Sequence, residues 1–434
     1  MTLKELHTIF LKSAGVCTDS RKLVDKQIFF ALKGENFDGN KYVEQALSLG
    51  CILAVSDDPA WRSEENVFVV DSVLEVLQAL ANYHRKQQDV TVLAITGSNG
   101  KTTTKELIAK VLSSEFPTLS TEGNLNNHIG LPLTLLRLKG EKLAVVEMGA
   151  NHPGEIALLC NIAEPDLGII TNIGKAHLEG FGSIEGVRKA KGELYDYLAR
   201  EEKLVLINAD DPVLLDMAKE RGLNSVRYGT PGGKVQGSIS ATRPFLEGIV
   251  KIGDEKFSIS THMPGIYNFT NILAAISAAV HFGIAAKKII RMISDYVPDN
   301  NRSQVVEGKS NTLLLDAYNA NPTSMKASLE DFVSDDVQKK MVVLGEMLEL
   351  GEETDAEHRA ILEWLSKSNI EKVLLIGEHF VRLSDSGDYP FLFFADIHKC
   401  MKHLSEDKPS GYRILLKGSR KNAMEQATNM LLSC

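Results

Sequence analysis

A chain of 434 residues, 44% hydrophobic and 24% charged, is long enough for about three domains of ~150 residues with their own cores. Its net charge of -9 excludes nucleic acid as the main partner, which needs a basic face, but leaves room for a local basic pocket. Five scattered cysteines (Cys17, Cys51, Cys160, Cys400, Cys434) with no Cys-x-x-Cys exclude a disulfide framework and a zinc cluster and fit a reducing cytoplasm. The first fifteen residues alternate apolar and polar at helical spacing and lack the continuous apolar centre of a signal peptide. The longest apolar stretch, around Ile272 to Val280, is too short to cross a bilayer, so no membrane insertion is expected.

Residues 1–88 read as a small α/β unit, with short strands at Ile28 to Leu32 and Ile52 to Val55 and a helix at Tyr42 to Leu49. Two polar loops accompany them, the second bearing glycines: Thr18-Asp19-Ser20-Arg21 and Lys33-Gly34-Glu35-Asn36-Phe37-Asp38-Gly39. Such loops hold ligands or simply make turns, and the residues alone do not choose.

The sharpest signal comes next. Val90 to Ile95 is an apolar, β-branched run, the pattern of a buried parallel strand. Gly97-Ser98-Asn99-Gly100-Lys101-Thr102 follows as a tight turn, and Leu107, Ile108, Val111 and Leu112 then recur at helical spacing. Strand, glycine turn and helix start make an anion site of free N–H groups and a positive helix end. Lys101 would reach the β/γ-phosphates and the Thr102 hydroxyl would hold Mg²⁺. The usual phosphate loop has a glycine five positions before Gly-Lys; here that position is Ile95, so the loop is a shorter form.

Further along, Thr121 to Pro132 packs Asn124, Asn126, Asn127 and His128 between apolar segments, a density of amides that favours a polar ligand over plain turns. Leu143 to Met148 is a buried strand ending in Glu147, where open α/β sheets bind ligands. Ile169 to Ile173 repeats that design ahead of Gly174-Lys175-Ala176-His177. His177 taken alone reads as a packed or capping histidine; its place after a second core strand shifts it towards the site. Leu204 to Ile207 is another core strand, and residues 226–262 read as an antiparallel extension. Pro264 to Asn271 leads into an alanine-rich helix, for which Asn268 or Thr270 would serve as N-cap. From about residue 299, Leu313 to Leu315, Met341 to Leu344, Val373 to Ile376 and Ile414 to Leu416 alternate with helical segments. That is a Rossmann-like sheet, and without GxGxxG no dinucleotide is expected.

The loop TGSNGKTTTKE resembles the ATP loop of the Mur ligase family, which also includes folylpolyglutamate synthetases, and the resemblance runs in order through the whole chain. It implies three α/β domains: 1–88 binding UDP-muropeptide, 89–298 a central ATP-binding P-loop sheet domain, and 299–434 a Rossmann-like domain that closes over ATP. Asp19-Ser20-Arg21 and FFALKGENFDG are similar to the family's UDP-binding domain, which assigns Ser20, Arg21, Lys33, Asn36 and Asp38 to substrate. The family often has His after that Asp-Gly; this chain has Asn40. The resemblance assigns Asn124, Asn126 and Asn127 to the muropeptide. It assigns Gly97, Ser98, Asn99, Gly100, Lys101, Thr102, Thr103, Asn271, Arg302 and Asp316 to ATP, Asn271 lying by the adenine.

The implied catalytic set is Lys101, Glu147, His177 and Lys191. In the family the lysine matching Lys191, in Ala190-Lys191-Gly192-Glu193, is carbamylated by CO₂, which turns a cation into an anionic oxygen ligand. One Mg²⁺ would sit on Thr102 and Glu147 with the phosphates, a second on His177 and carbamylated Lys191. Asp316-Ala317-Tyr318-Asn319-Ala320-Asn321-Pro322, the LGEMLELG segment with His358, and Lys417-Gly418-Ser419-Arg420 are similar to the member that adds D-Ala-D-Ala, with Asn319 and Asn321 among its substrate contacts. The implied reaction joins D-Ala-D-Ala to UDP-N-acetylmuramoyl-tripeptide in cytoplasmic peptidoglycan precursor synthesis, with ATP going to ADP through an acyl phosphate, on a monomer.

Three rivals stand beside this reading. The member that adds the third amino acid carries Asp-Asn-Pro-Arg in its last domain, and this chain has none. A folylpolyglutamate synthetase should lack the UDP-type N-terminal domain. A phosphate-binding regulatory module would have no use for Glu147, His177 and Lys191 around a metal.

Overall fold

The computed structural model describes residues 1–334 and 339–433; Cys434, one of the scattered cysteines, lies outside them. Among the described residues three large sheets follow one another along the chain, beside one two-stranded hairpin. The first is four-stranded and parallel, with Val16–Cys17, Ile28–Phe30, Leu53–Ser56 and Val67–Val69 side by side in chain order. Against it pack the helices Leu3–Phe10 and Val73–Lys86, which bury Leu6, Phe10, Leu77 and Leu80. Ser72 caps the second of these by accepting from Glu75 N, satisfying one of the donors that every helix start leaves free. Where the two helices cross, His7 Nε2 and His84 Nδ1 meet at 3.0 Å, and His84 Nε2 lies 2.9 Å from Leu138 O. Burial pushes the pKa of both imidazoles below the usual 6.5.

The central sheet has nine strands. At its heart Thr91–Thr96 lies between Leu143–Glu147 and Leu167–Ile170, all parallel. Its residues from Val92 onwards are buried on both faces, which is why the sequence reads as an unbroken apolar run. The chain goes to one neighbour and then the other, so the crevice at the C-terminal end of Thr91–Thr96 is a topological switch point. Ser225–Gly229 still pairs in parallel with Leu204–Asn208; only Val235–Ala241, Glu247–Ile252 and Glu255–Ser260 form the antiparallel extension expected over the whole of 226–262. The strand expected over Ile169 to Ile173 stops at Ile170, opposite Thr96, because Thr171 and Asn172 leave the sheet to bond the glycine loop.

Helix Lys101–Leu112 packs Leu107, Ile108 and Val111 into the same core as Ile272, Ala275 and Ile276 of helix Asn268–His281. That second helix has no side-chain cap. Asn268 instead donates to Pro264 O at 2.7 Å and accepts from Asn271 at 3.0 Å, so neither Asn268 nor Thr270 is the N-cap expected from sequence.

The third sheet orders Gln304–Glu307, Thr312–Asp316, Arg413–Lys417, Lys340–Gly345, Lys372–Ile376 and Leu392–Phe394, with only Gln304–Glu307 antiparallel. Glu106, on helix Lys101–Leu112, binds the segment that crosses into this domain: it accepts from Tyr296 OH at 2.8 Å and from Asn300 Nδ2 at 2.7 and 2.6 Å. Among the described residues no helix is long and apolar enough to cross a membrane.

Candidate active site

The loop after Thr91–Thr96 is drawn tight against its neighbours, and two glycines make this possible. Gly97 has φ +141°, and a Cβ there would lie 2.0 Å from Thr171 Oγ1. Gly100 has φ +78°, and its Cβ would lie 2.5 Å from Asn271 Oδ1. Ser98 Oγ donates to Gly174 O at 3.0 Å, and Asn99 N donates to Asn172 Oδ1 at 3.1 Å. The first-turn N–H groups of helix Lys101–Leu112 lack intrahelical partners and face the crevice.

Lys101 folds back over this loop, its Nζ donating to Gly97 O at 2.7 Å and Ser98 O at 3.3 Å. Burial pushes its amine pKa down, and the nearby Glu147 carboxylate works against that. Glu147 is 2% exposed, yet both its oxygens are engaged: Thr102 Oγ1 donates to one at 2.8 Å and Asn126 Nδ2 to the other at 2.7 Å. Thr102 and Glu147 together are a hard-oxygen donor set of the kind that fits Mg²⁺ shared with phosphate. Among the described residues no three His, Cys, Asp or Glu side chains are grouped to hold a metal alone.

These residues line a cavity of about 460 Å³ between the central and third domains. Of the nucleotide residues expected from sequence, Ser98, Asn99, Gly100, Lys101, Thr102, Thr103, Asn271, Arg302 and Asp316 line it; Gly97 is tucked behind, against Thr171. Asn124, Asn126 and Asn127 line it from the central domain and Asn319 and Asn321 from the third, with Asn321 Nδ2 donating to Asn99 Oδ1 at 2.8 Å. Glu147 and His177 line it too.

Lys191 does not line the cavity. It is 1% exposed, donates to Ala150 O at 3.2 Å and sits 5.1 Å from the centre of the Phe181 ring. Burial first, and the charge of Lys101 second, lower its pKa to about 7. His177 stands edge-on to the same Phe181 ring, so the two side chains flank one aromatic wall. The Nδ1 atom of His177 lies against the carboxylate of Glu349 of the third domain.

Ser20, Arg21, Lys33, Asn36 and Asp38 lie outside this cavity, on the N-terminal domain. Ser20 is buried; Arg21 is exposed and bonds Asp19 through Nε and Nη2, each at 2.8 Å. Lys33 pairs with Asp57 at 2.8 Å, and Asn36 stands exposed at the tip of the hairpin that Lys33–Gly34 and Phe37–Asp38 form. Asn40, where the family often has His, is buried: it donates to Asp57 at 2.7 Å and accepts from Ser56 at 2.6 Å, pinning the hairpin to the sheet.

Tyr267, Ser303, Tyr318 and Lys417 also line the cavity, and sequence reasoning did not single them out as site residues. The Arg302 guanidinium lies 3.6 Å from the centre of the Tyr318 ring. Lys417 is 2% exposed and forms an ion pair with Asp316, which also accepts from Ser328 at 3.2 Å. A signal for Lys417 was present: it ends an apolar strand just as Glu147 does.

Three family models cover the chain. Residues 12–85 match the one described as Mur ligase family, catalytic domain. Residues 95–279 match the Mur ligase middle domain, and residues 301–420 match the Mur ligase, glutamate ligase domain. A UDP-N-acetylmuramoyl-tripeptide–D-alanyl-D-alanine ligase of Bacillus subtilis is 36% identical, over 96% of this chain and 93% of its own length. The crystal structure of MurF from Acinetobacter baumannii is similar with a TM-score of 0.87 and 30% identity, covering 96% of this chain and 93% of that one. MurF ligase from Thermotoga maritima in complex with ADP is similar with a TM-score of 0.86 and 28% identity, covering 96% of each chain.

Proposed function

The chain belongs to the Mur ligase family, and from this we infer that it is an ATP-dependent, ADP-forming ligase that adds D-alanyl-D-alanine to UDP-N-acetylmuramoyl-tripeptide. One observation carries the reading. The glycine loop with Lys101, Thr102 and Glu147 shares a single cavity with Arg302, Asp316, Asn319 and Asn321 of the third domain. A phosphate donor and an acceptor amine can therefore meet there.

A carboxylate is a poor acyl donor because its oxygen leaves badly; phosphorylation supplies a leaving group, and the amine then displaces phosphate. Two anions must come together for the first step. The loop amides and Lys101 supply the positive field, Lys101 exchanging its carbonyl partners for phosphate oxygens. Mg²⁺ held by Thr102 and Glu147 would supply further charge neutralisation on the phosphates.

Lys191 would bear a carbamate. Only a neutral amine attacks CO₂, and an amine with a pKa near 7 is partly neutral at physiological pH. His177 and the carbamate oxygens would then hold a second Mg²⁺ and supply further charge neutralisation. Arg302 and Asp316 would close on the nucleotide, Asn271 on the adenine, Asn124, Asn126 and Asn127 on the muropeptide, and Asn319 and Asn321 on the dipeptide. Ser20, Arg21, Lys33, Asn36 and Asp38 would hold the UDP end. The working divisions are 1–88, 89–298 and 299–434, in a cytoplasmic monomer. Buried, unpaired thiols at Cys17, Cys51, Cys160 and Cys400 favour that compartment.

The test is ADP release with purified protein and each acceptor and amine in turn. Turnover only with UDP-tripeptide plus D-Ala-D-Ala is expected. Turnover with UDP-dipeptide plus a free diamino acid would refute the assignment.

A further inference from the structure

The strip from Thr171 to Glu179 has two working faces. One grips the glycine loop: Thr171 Oγ1 donates to Asn99 O at 2.6 Å, and Gly174 N to Ser98 Oγ at 2.9 Å. The other meets the third domain: Lys175 N donates to Thr323 Oγ1 at 3.0 Å, Lys175 Nζ to Glu357 at 2.5 Å, and Glu179 N to Glu349 O at 3.1 Å. His177 sits between these contacts, lines the cavity, and has Glu349 against its Nδ1. His177 has φ +53° and Glu349 φ +61°. Residues other than glycine take that left-handed backbone at a cost, and here two do so face to face across a domain boundary. No step above uses Glu349.

We propose that Glu349 is a positioning residue for His177, delivered by the third domain, which readies His177 Nε2 for a divalent cation only while that domain is docked. The presence of the cation rests on the ligase reading. The role of Glu349 rests on the contact itself. A carboxylate beside Nδ1 keeps the ring proton on that nitrogen and leaves the Nε2 lone pair free. Because Glu349 belongs to another domain, undocking removes the carboxylate and lets the ring turn and change tautomer.

Three variants of the full chain separate positioning from docking. Glu349→Gln removes the charge and keeps the shape; Glu349→Asp keeps the charge; Lys175→Ala breaks a neighbouring docking contact without touching His177. The probe is Mn²⁺ in place of Mg²⁺, with a non-hydrolysable ATP analogue and UDP-tripeptide, followed by water-proton relaxation. ADP release with Mg²⁺ is measured alongside. Glu349→Gln should weaken the more loosely held Mn²⁺ by about tenfold and lower kcat, with the KM for D-Ala-D-Ala within about twofold of wild type. Glu349→Asp should restore most of both. Lys175→Ala should bind Mn²⁺ as wild type does and raise the dipeptide KM. Wild-type Mn²⁺ binding in Glu349→Gln would overturn the proposal, and so would an equal Mn²⁺ loss in Lys175→Ala, which would make Glu349 a docking contact only. No turnover by the wild type would instead overturn the ligase reading.

Discussion

The phosphate-loop cavity and the N-terminal loops handle polar groups in opposite ways. Around the loop, polar side chains are buried and already bonded to one another: Glu147 holds Thr102 and Asn126, and Lys101 lies on the loop carbonyls. In the N-terminal domain the assigned cations stand in water, the Arg21 side chain 86% exposed and that of Lys33 48% exposed, each leaning on one carboxylate. A buried network fixes geometry before the ligand arrives, whereas an exposed pair is screened and gives way easily. The first arrangement suits chemistry and the second suits recognition. Substitutions in the cavity should therefore cost rate, and substitutions in the N-terminal loops should cost affinity.

The largest effect is expected at Lys191. Lys191→Ala should abolish turnover while leaving ATP binding largely intact, with partial rescue by added short carboxylates. Activity near wild type would remove the carbamate from the mechanism. Lys101→Ala comes next, with a loss of about 3 kcal/mol or more of transition-state stabilisation, a hundredfold or greater fall in rate. A tenfold loss or less, in the same ADP-release assay, would move Lys101 out of the phosphate site.

Arg21→Ala tests the other side of the contrast. The KM for the UDP-substrate should rise about two- to fivefold with kcat unchanged. A kcat loss as large as that of Lys101→Ala would erase the distinction between the regions.

The smallest effect is thermal and lies where the N-terminal helices meet the central domain. His7 and His84 have lowered pKa values in the fold, so below the usual 6.5 the unfolded chain takes up protons that the folded pair resists. Stability from this pair is present above that pH and is lost as the pH falls through it. The Tm should decline from about pH 7 to about pH 5.5, and less steeply when both histidines are replaced by phenylalanine. An unchanged slope in the double variant would assign the decline to other groups.

Strand, glycine loop and helix were legible because glycine, lysine and threonine act where they stand in sequence. Glu147 was legible as a charge at the end of an apolar strand, and it lines the cavity. Thr171 and Asn172 were misread as strand because Ile169, Ile170 and Ile173 continue the apolar pattern; their bonds to Asn99 cannot be seen from composition. Glu349 gains its place only when the third domain meets the second, and Tyr318 gains its own from Arg302, sixteen residues away; no local pattern announces either. Asn268 looked like a helix cap because asparagine usually is one; a nearer carbonyl, that of Pro264, won its amide.

Glu106 has one more consequence. It fastens Tyr296 and Asn300 five residues into the helix whose first turn faces the cavity, roughly 8 Å along at 1.5 Å per residue. Any swing of the third domain would thus have its axle beside the glycine loop. Arg302, two residues beyond Asn300, would travel little in such a swing. Glu349 follows Lys340–Gly345, three places across the sheet from Gln304–Glu307, about 14 Å at ~4.8 Å per strand, and sweeps a wider arc. In the ligase reading, a nucleotide would then stay clasped on both sides while the mouth that admits the acid and the amine stands ajar.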